Sequence, residues 1–351
     1  MSIPERQTAY GWIKGKEGIQ RWMDYPVPVP GANQALLKVE AAGLCQSDCH
    51  LLQVGPMERL GVESPTKYVL GHEIAGTIAA LGSGLENHPT VKLGARFALQ
   101  IGAACGSCDN CRQGFDNACT SGCEAYGLNT DGGFEEYLLI KNLRTLLPIP
   151  EDVSFATAAV ASDSTLTPFH AIQKVKSDLR PTSKVLLVGL GGLGLNALQI
   201  LKVYHPYIVA TDVKESLRSI ALEYGADEYY HDMSKCPHSR ESFDIVFDFV
   251  GNQITSDICQ KYVKHLGKYM TVGLGRSKLM LQNYNLARRE VQVIYSFGGT
   301  SYEQIEVMRW ISKGLIKPIH TAVPFAELPE YLDKLHHGKV EGRVTFKPCK
   351  L

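Results

Sequence analysis

The sequence predicts an α/β protein in which a doubly wound parallel sheet is joined to a β-rich domain, and three observations carry that prediction. The chain has 351 residues, more than one hydrophobic core usually serves, so two domains fit better than one. From Ala35 to about Pro150 it shows short apolar runs, ALLKVEAAGL, EIAGTIAALG, ARFALQIG and FEEYLLI, punctuated by Gly, Pro and Asn. That is the rhythm of an antiparallel β-rich domain. From about Ala156 strand-like and helix-like segments alternate: KVLLVGL, GLNALQILKVY, YIVATD, SLRSIALEYGA, FDIVFDFVG, QKYVKHL and KYMTVGLG. Such alternation is the mark of βαβ units and a parallel sheet covered on both faces.

Taken in order, residues 1–155 are expected to form the β-rich domain and residues 156–300 the parallel sheet. The tail 301–351 ends in GRVTFKP, a strand able to rejoin the first domain. Lys+Arg and Asp+Glu both number 36, so the chain lacks the electrostatic footprint of a nucleic-acid or membrane-surface binder, and a small, weakly charged partner is expected. The longest apolar stretch, Val185 to Val203, is interrupted by glycines, Asn196, Gln199 and Lys202; it reads as strand, turn and helix rather than a membrane span. The first residues hold no signal-peptide core, which points to the cytoplasm. In that reducing compartment the ten cysteines point to metal rather than to disulfides.

Within the first domain Cys105, Cys108, Cys111 and Cys119 follow the pattern C-x2-C-x2-C-x7-C in a polar, Gly-containing loop. Four thiolates so close together can enclose one tetrahedral zinc with no open position, the structural type of site. Reduced surface cysteines and an iron-sulfur cluster are the other readings. Cys123 is left over. A second set is scattered: Cys45 in GLCQSDCH, His72 and Glu73 in LGHEIAG, and Asp163 in AVASDSTLTPFHA. Cys, His and carboxylate are all zinc donors, and three protein ligands with a fourth position free make the catalytic arrangement. Each alone also has a plain reading: Cys45 as core filler, His72 as a satisfied histidine, Glu73 as a surface carboxylate, Asp163 as a helix N-cap.

In the second domain Gly189, Gly191 and Gly194, with Leu190, Gly192 and Leu193 between them, follow the strand KVLLV and open a helical pattern. This is the context the G-x-G-x-x-G fingerprint of Rossmann domains requires: bare backbone approaches a pyrophosphate whose charge meets a helix N-terminus. Asp212 ends the next strand, where a carboxylate accepts ribose hydroxyls and repels a 2′-phosphate. NAD(H) is therefore expected ahead of NADP(H), unless Lys214 and Arg218 turn toward the ribose.

With these motifs the chain resembles the medium-chain zinc-dependent alcohol dehydrogenases from Leu44 to about Val344. The resemblance implies a GroES-like catalytic domain and a Rossmann domain. It implies two zinc ions per chain, a catalytic one on Cys45, His72 and Asp163 and a structural one on the four clustered cysteines. Asp163 stands where many members carry a second cysteine, replacing a soft donor with a harder one, and Glu73 is able to approach the metal. Ser47 matches the hydroxyl that bonds the substrate oxygen, and His50 the relay histidine. Gln46 replaces a basic residue often found there. Thr167 and Val272-Gly273-Leu274 match positions near the nicotinamide, and Arg343 matches a pyrophosphate-binding arginine, a surface arginine being its plain alternative. The implied activity is reversible hydride transfer between an alcohol and NAD, with an aldehyde or ketone as product, in a homodimer or homotetramer. The alternatives are an NADP-dependent aldehyde or ketone reductase of the same fold and a non-catalytic nucleotide-binding protein.

Overall fold

The computed structural model describes residues 3–54, 65–122 and 124–349; Cys123, the cysteine left over from the four-thiol motif, lies outside them. The chain divides into two compact units, Met1–Asp163 with Thr300–Ser312 and His320–Leu351, and Ser164–Gly299 with Lys313–Ile319.

The first unit is built on Ala35–Leu44, a strand buried along nearly its whole length. Its seven-stranded sheet runs in the order His320–Pro324, Arg343–Lys347, Ala35–Leu44, Glu73–Leu81, Arg96–Leu99 and Leu146–Pro148, with Tyr137–Ile140 also paired to Ala35–Leu44. A three-stranded sheet of Gln20–Pro26, Arg6–Ile13 and Lys67–Val69 lies in the same unit. Leu37, Val39, Ile74, Phe97, Phe134, Val344 and Phe346 share one core. Register is what matters for chemistry: Gly43 pairs with Glu73, and Leu44 with Val344. One end of the central strand thereby gathers Cys45, His72, Glu73 and Arg343, residues far apart in the chain.

The second unit is a parallel sheet of six strands in the order Glu228–Tyr230, Tyr207–Thr211, Lys184–Val188, Phe243–Asp248, Val263–Thr271 and Gln292–Tyr295. In chain order this is 3-2-1-4-5-6, the dinucleotide-binding arrangement, whose ligands sit beyond the strand C-termini where the order reverses. Val185 to Val188 are buried, which is why that strand reads as an unbroken apolar run rather than an alternation.

One element differs from the sequence expectation. QKYVKHL divides between two elements: its first residues close the helix Gln253–Tyr262 and the rest open the strand Val263–Thr271. The helix starts at a capping box in which Asn252 and Thr255 satisfy each other's backbone N–H groups, a polar start that hydrophobic periodicity does not reveal. It stops where Val263 turns extended and pairs with Phe243. The buried Arg289 then donates to the carbonyls of Gln260 and Val263, which the helix end leaves without partners. Among the described residues no helix is long and apolar enough to cross a membrane.

Candidate functional site

The four clustered cysteines form a lobe of the first unit. Cys108 precedes the short helix Asp109–Arg112, which carries Cys111, and the 3-10 turn Asp116–Ala118 leads into Cys119. Cys105 Sγ lies 4.0 Å from Cys111 Sγ, and Cys108 Sγ 3.9 Å from Cys119 Sγ. A regular tetrahedron of thiolates around zinc, with bonds of about 2.3 Å, has edges of about 3.8 Å, so the four sulfurs fit that ion. Hydrogen bonds from Ser121 and Ser107 pull the Cys105 thiol down to about 5, and the N–H groups of Cys111 and Thr120 bring Cys108 to about 7. Burial pushes Cys111 up to about 12. Two thiols are thus disposed toward the thiolate that a metal needs. Asp116 ties the lobe to the helix Ser301–Ser312, accepting the Ser301 N–H at 3.1 Å and the Ser301 hydroxyl at 2.5 Å.

The scattered donors meet in the same unit: Cys45, His72, Glu73 and Asp163 bring their ligand atoms within 4.8 Å of one another. Cys45 Sγ is 3.4 Å and His72 Nε2 3.7 Å from Asp163 Oδ2. Asp163 stands in a single π turn, Ala161–Thr165, within a longer helical run whose N-cap is Ser154. It is not a helix N-cap, and π turns recur at functional sites because they re-aim one side chain. Glu73 is fully buried, and a Cβ on Gly43 would lie 2.1 Å from its Oε2, so a side chain at position 43 would expel the carboxylate. Burial holds the Glu73 carboxyl well above the usual range, with Arg343 opposing it. Arg343 is itself buried rather than on the surface: its Nε is 3.1 Å from Glu73, and its Nη2 is 3.4 Å from both Asp163 and Cys45 Sγ. Burial opposes its charge, but Cys45, Glu73 and Asp163 outweigh that and keep it protonated.

Neither Glu73 oxygen accepts a hydrogen bond, Arg343 facing Oε1 as an ion pair. A buried carboxylate so placed beside sulfur and imidazole donors suits a bound zinc. Ser47 and His50 follow on the helix Gln46–Val54, three apart and so on one face; Ser47 Oγ is 3.7 Å from Cys45 Sγ.

In the second unit Gly189 has φ 92°, and a Cβ there would meet Val250 at 2.5 Å, while one on Gly194 would lie 1.9 Å from the Gly189 carbonyl oxygen. Nothing stands within 4 Å of a Cβ on Gly191, which caps the helix Gly192–Lys202 and leaves room for a phosphate to approach its N–H groups. Leu193 lies in that helix's first turn. Asp212 accepts the Leu190 N–H at 2.8 Å on one oxygen and the Lys214 N–H at 3.1 Å on the other. Thr167 and Val272 are both buried, one in the helix Leu166–Gln173 and the other just past the strand Val263–Thr271. Arg218 is turned to Glu215 and the Tyr229 carbonyl.

Sequence reasoning missed Asp48. It is fully buried, accepts the Cys45 N–H at 2.9 Å and faces His72 Nδ1 at 3.4 Å. A carboxylate behind a ligating histidine orients the ring. Its only sequence signal is an acid three residues after Cys45, which is also how an ordinary helix begins.

Comparison with known proteins agrees with this layout. Residues 31–151 match the family model of the alcohol dehydrogenase GroES-like domain, and residues 192–313 that of the zinc-binding dehydrogenases. An NAD-dependent alcohol dehydrogenase of Sulfolobus acidocaldarius is 31% identical over 93% of this chain and 96% of its own length. One from Sulfurisphaera tokodaii is 32% identical over 93% and 95%. Among solved structures, acetophenone reductase from Geotrichum candidum in complex with NAD superposes with a TM-score of 0.90 at 37% identity, covering 99% of this chain and 98% of that one.

Proposed function

The chain belongs to the medium-chain zinc-type alcohol dehydrogenase family, and on that premise we infer that it interconverts an alcohol with its aldehyde or ketone using NAD. Cys45, His72 and Asp163 are the proposed ligands of a catalytic zinc, and Cys105, Cys108, Cys111 and Cys119 those of a structural one. The observation that carries this reading is the presence in one chain of two donor sets of different kind, four thiols alone and a mixed set of thiol, imidazole and carboxylates.

When bound, zinc supplies Lewis-acid polarisation of the substrate oxygen and the nicotinamide supplies the hydride acceptor or donor. The chain's own groups position, neutralise and move protons. Asp48 holds the His72 ring from behind, leaving Nε2 toward Asp163. Arg343 offsets the negative charge of Cys45, Glu73 and Asp163, to which its Nε and Nη2 are committed, a role at the metal donors in place of the pyrophosphate contact that the resemblance implied. Ser47 accepts the proton of the substrate hydroxyl as it gives up its own, so it ends neutral, and His50, on the same helix face, is the base that passes the released proton to solvent. In the second unit the N–H groups of the Gly189 to Gly194 loop receive the pyrophosphate, the remaining lone pairs of Asp212 accept the adenosine ribose hydroxyls, and Thr167 and Val272 serve the nicotinamide. Asp212 disfavours a 2′-phosphate, and Arg218 is engaged elsewhere; both support NAD over NADP.

Two further parts of the proposal rest on separate observations. Gln292–Tyr295 is paired on one side only at the sheet edge, with Tyr295 and Phe297 exposed, which supports a homodimer or homotetramer. Nine cysteines among the described residues are unpaired, which supports a cytoplasmic location. The activity is tested by offering NAD and NADP with primary, secondary and polyhydric alcohols, before and after a zinc chelator. Chelator-sensitive reduction of NAD is expected. No reduction of either cofactor by any alcohol, with no carbonyl reduced in reverse, overturns the reading.

A further inference from the structure

We propose that Glu215 is a specificity-determining residue that keeps the dinucleotide site selective for NAD by holding one basic side chain, Arg218, off the adenosine ribose corner. The proposal rests on the assignment of Asp212 to that ribose. Glu215 opens the 3-10 turn Glu215–Leu217 just beyond Asp212. Its two oxygens are divided: Oε1 accepts Arg218 Nε at 2.6 Å and Oε2 meets His231 Nδ1 at 2.5 Å. Arg218 is further committed through Nη1, which donates to the Tyr229 carbonyl at 3.0 Å, and its guanidinium sits 5.3 Å from the centre of the Tyr229 ring. The far end of that ring reaches the Asp212 turn, where the Tyr229 hydroxyl donates to the Asp212 carbonyl at 3.1 Å and also to that of Lys214. One aromatic ring therefore lies between the held guanidinium and the backbone of the Asp212 turn.

A 2′-phosphate is recognised by charge-assisted hydrogen bonds, best from the planar fork of arginine. With Nε and one Nη already engaged, Arg218 is fixed in place and swings to a phosphate only by giving up those bonds. The Glu215 carboxyl is held below its ordinary range, first by the hydrogen bond from Arg218, so it is ionised at neutral pH. Glu215 and Arg218 are about half exposed, and such pairs add little to folding stability. What the pair does contribute is the placement of a cation, and an exposed lock of this strength shifts preference by a modest factor.

The test is fluorescence titration of NADPH and NADH on the zinc-loaded protein, comparing wild type, Glu215→Gln, Arg218→Met and the double variant. Glu215→Gln is expected to lower the ratio of Kd for NADPH to Kd for NADH by about fivefold, the upper range for releasing one exposed ion pair. The double variant should return the ratio to the Arg218→Met value. An unchanged ratio in Glu215→Gln, or a gain that survives loss of Arg218, overturns the proposal. A wild-type protein that binds NADPH more tightly than NADH instead overturns the NAD assignment itself, since the Glu215 result is read only as a change between variants.

Discussion

Cys105, Cys108, Cys111 and Cys119 come from one loop and carry identical donors. Cys45, His72, Glu73 and Asp163 come from separate strands and a helix, mix sulfur, nitrogen and oxygen, and enclose the buried cation of Arg343. The loop is closed by hydrogen bonds and by its thiols rather than by an apolar core, because its short helix and 3-10 turn bury few apolar groups. The mixed cluster is held by the sheet whatever occupies it, and its negative charge is already offset by protein. A structural site thus depends on its ion for its fold, whereas a catalytic site is folded first and loaded afterwards.

Four substitutions sharpen or break that contrast. The largest effect is expected on activity from His72→Ala. Losing the metal's polarisation should lower kcat/KM by roughly a thousandfold or more, about 4 kcal/mol. Zinc content should fall from two to one per chain, with a moderate loss of melting temperature because Asp48 is left buried without His72. Undiminished turnover with two zincs would remove His72 from the site.

Cys108→Ser should act on the fold instead. Loss of the structural zinc is expected to cost about 4 kcal/mol, or roughly 8–16 °C in Tm for a unit of this size. The first-turn amides of Ser301–Ser312 should exchange faster, because Asp116 no longer caps them. An unchanged melting curve contradicts the structural assignment.

Arg343→Met probes the internal counter-charge. Removing one partner from a buried ion pair leaves carboxylates uncompensated, at about 3 kcal/mol. The loss should appear in calorimetry of the metal-free protein and shrink once zinc is restored. Equal losses in both forms would mean that Arg343 does not answer the same charge as the metal.

The smallest effect is expected from Asp163→Cys, which exchanges one zinc donor for another. Zinc should be retained, and kcat/KM should change by about tenfold at most. The cobalt-substituted protein should gain thiolate-to-metal absorption. No gain in that band would show that position 163 does not ligate.

Legibility in the sequence follows the same division. The four-cysteine spacing and the Gly189 to Asp212 fingerprint are local, so one segment carries the whole chemical requirement. The alternation of strands and helices is equally local, and the six-stranded parallel sheet agrees with it. The bounds of the helix Gln253–Tyr262 were illegible because its start is polar and its end is set by pairing with Phe243 and by Arg289, groups outside its own segment.

By itself the sequence determined the α/β class, the four-cysteine loop and the glycine-rich turn, since spacing and periodicity act through neighbours in the chain. Only the tertiary structure decided that Asp48 stands behind His72, that Arg343 is buried against Glu73, and that Glu215 holds Arg218 and His231. These depend on strand register and side-chain direction. A shift of one residue between Ala35–Leu44 and its partners would carry Glu73 and Arg343 to the opposite face of the sheet.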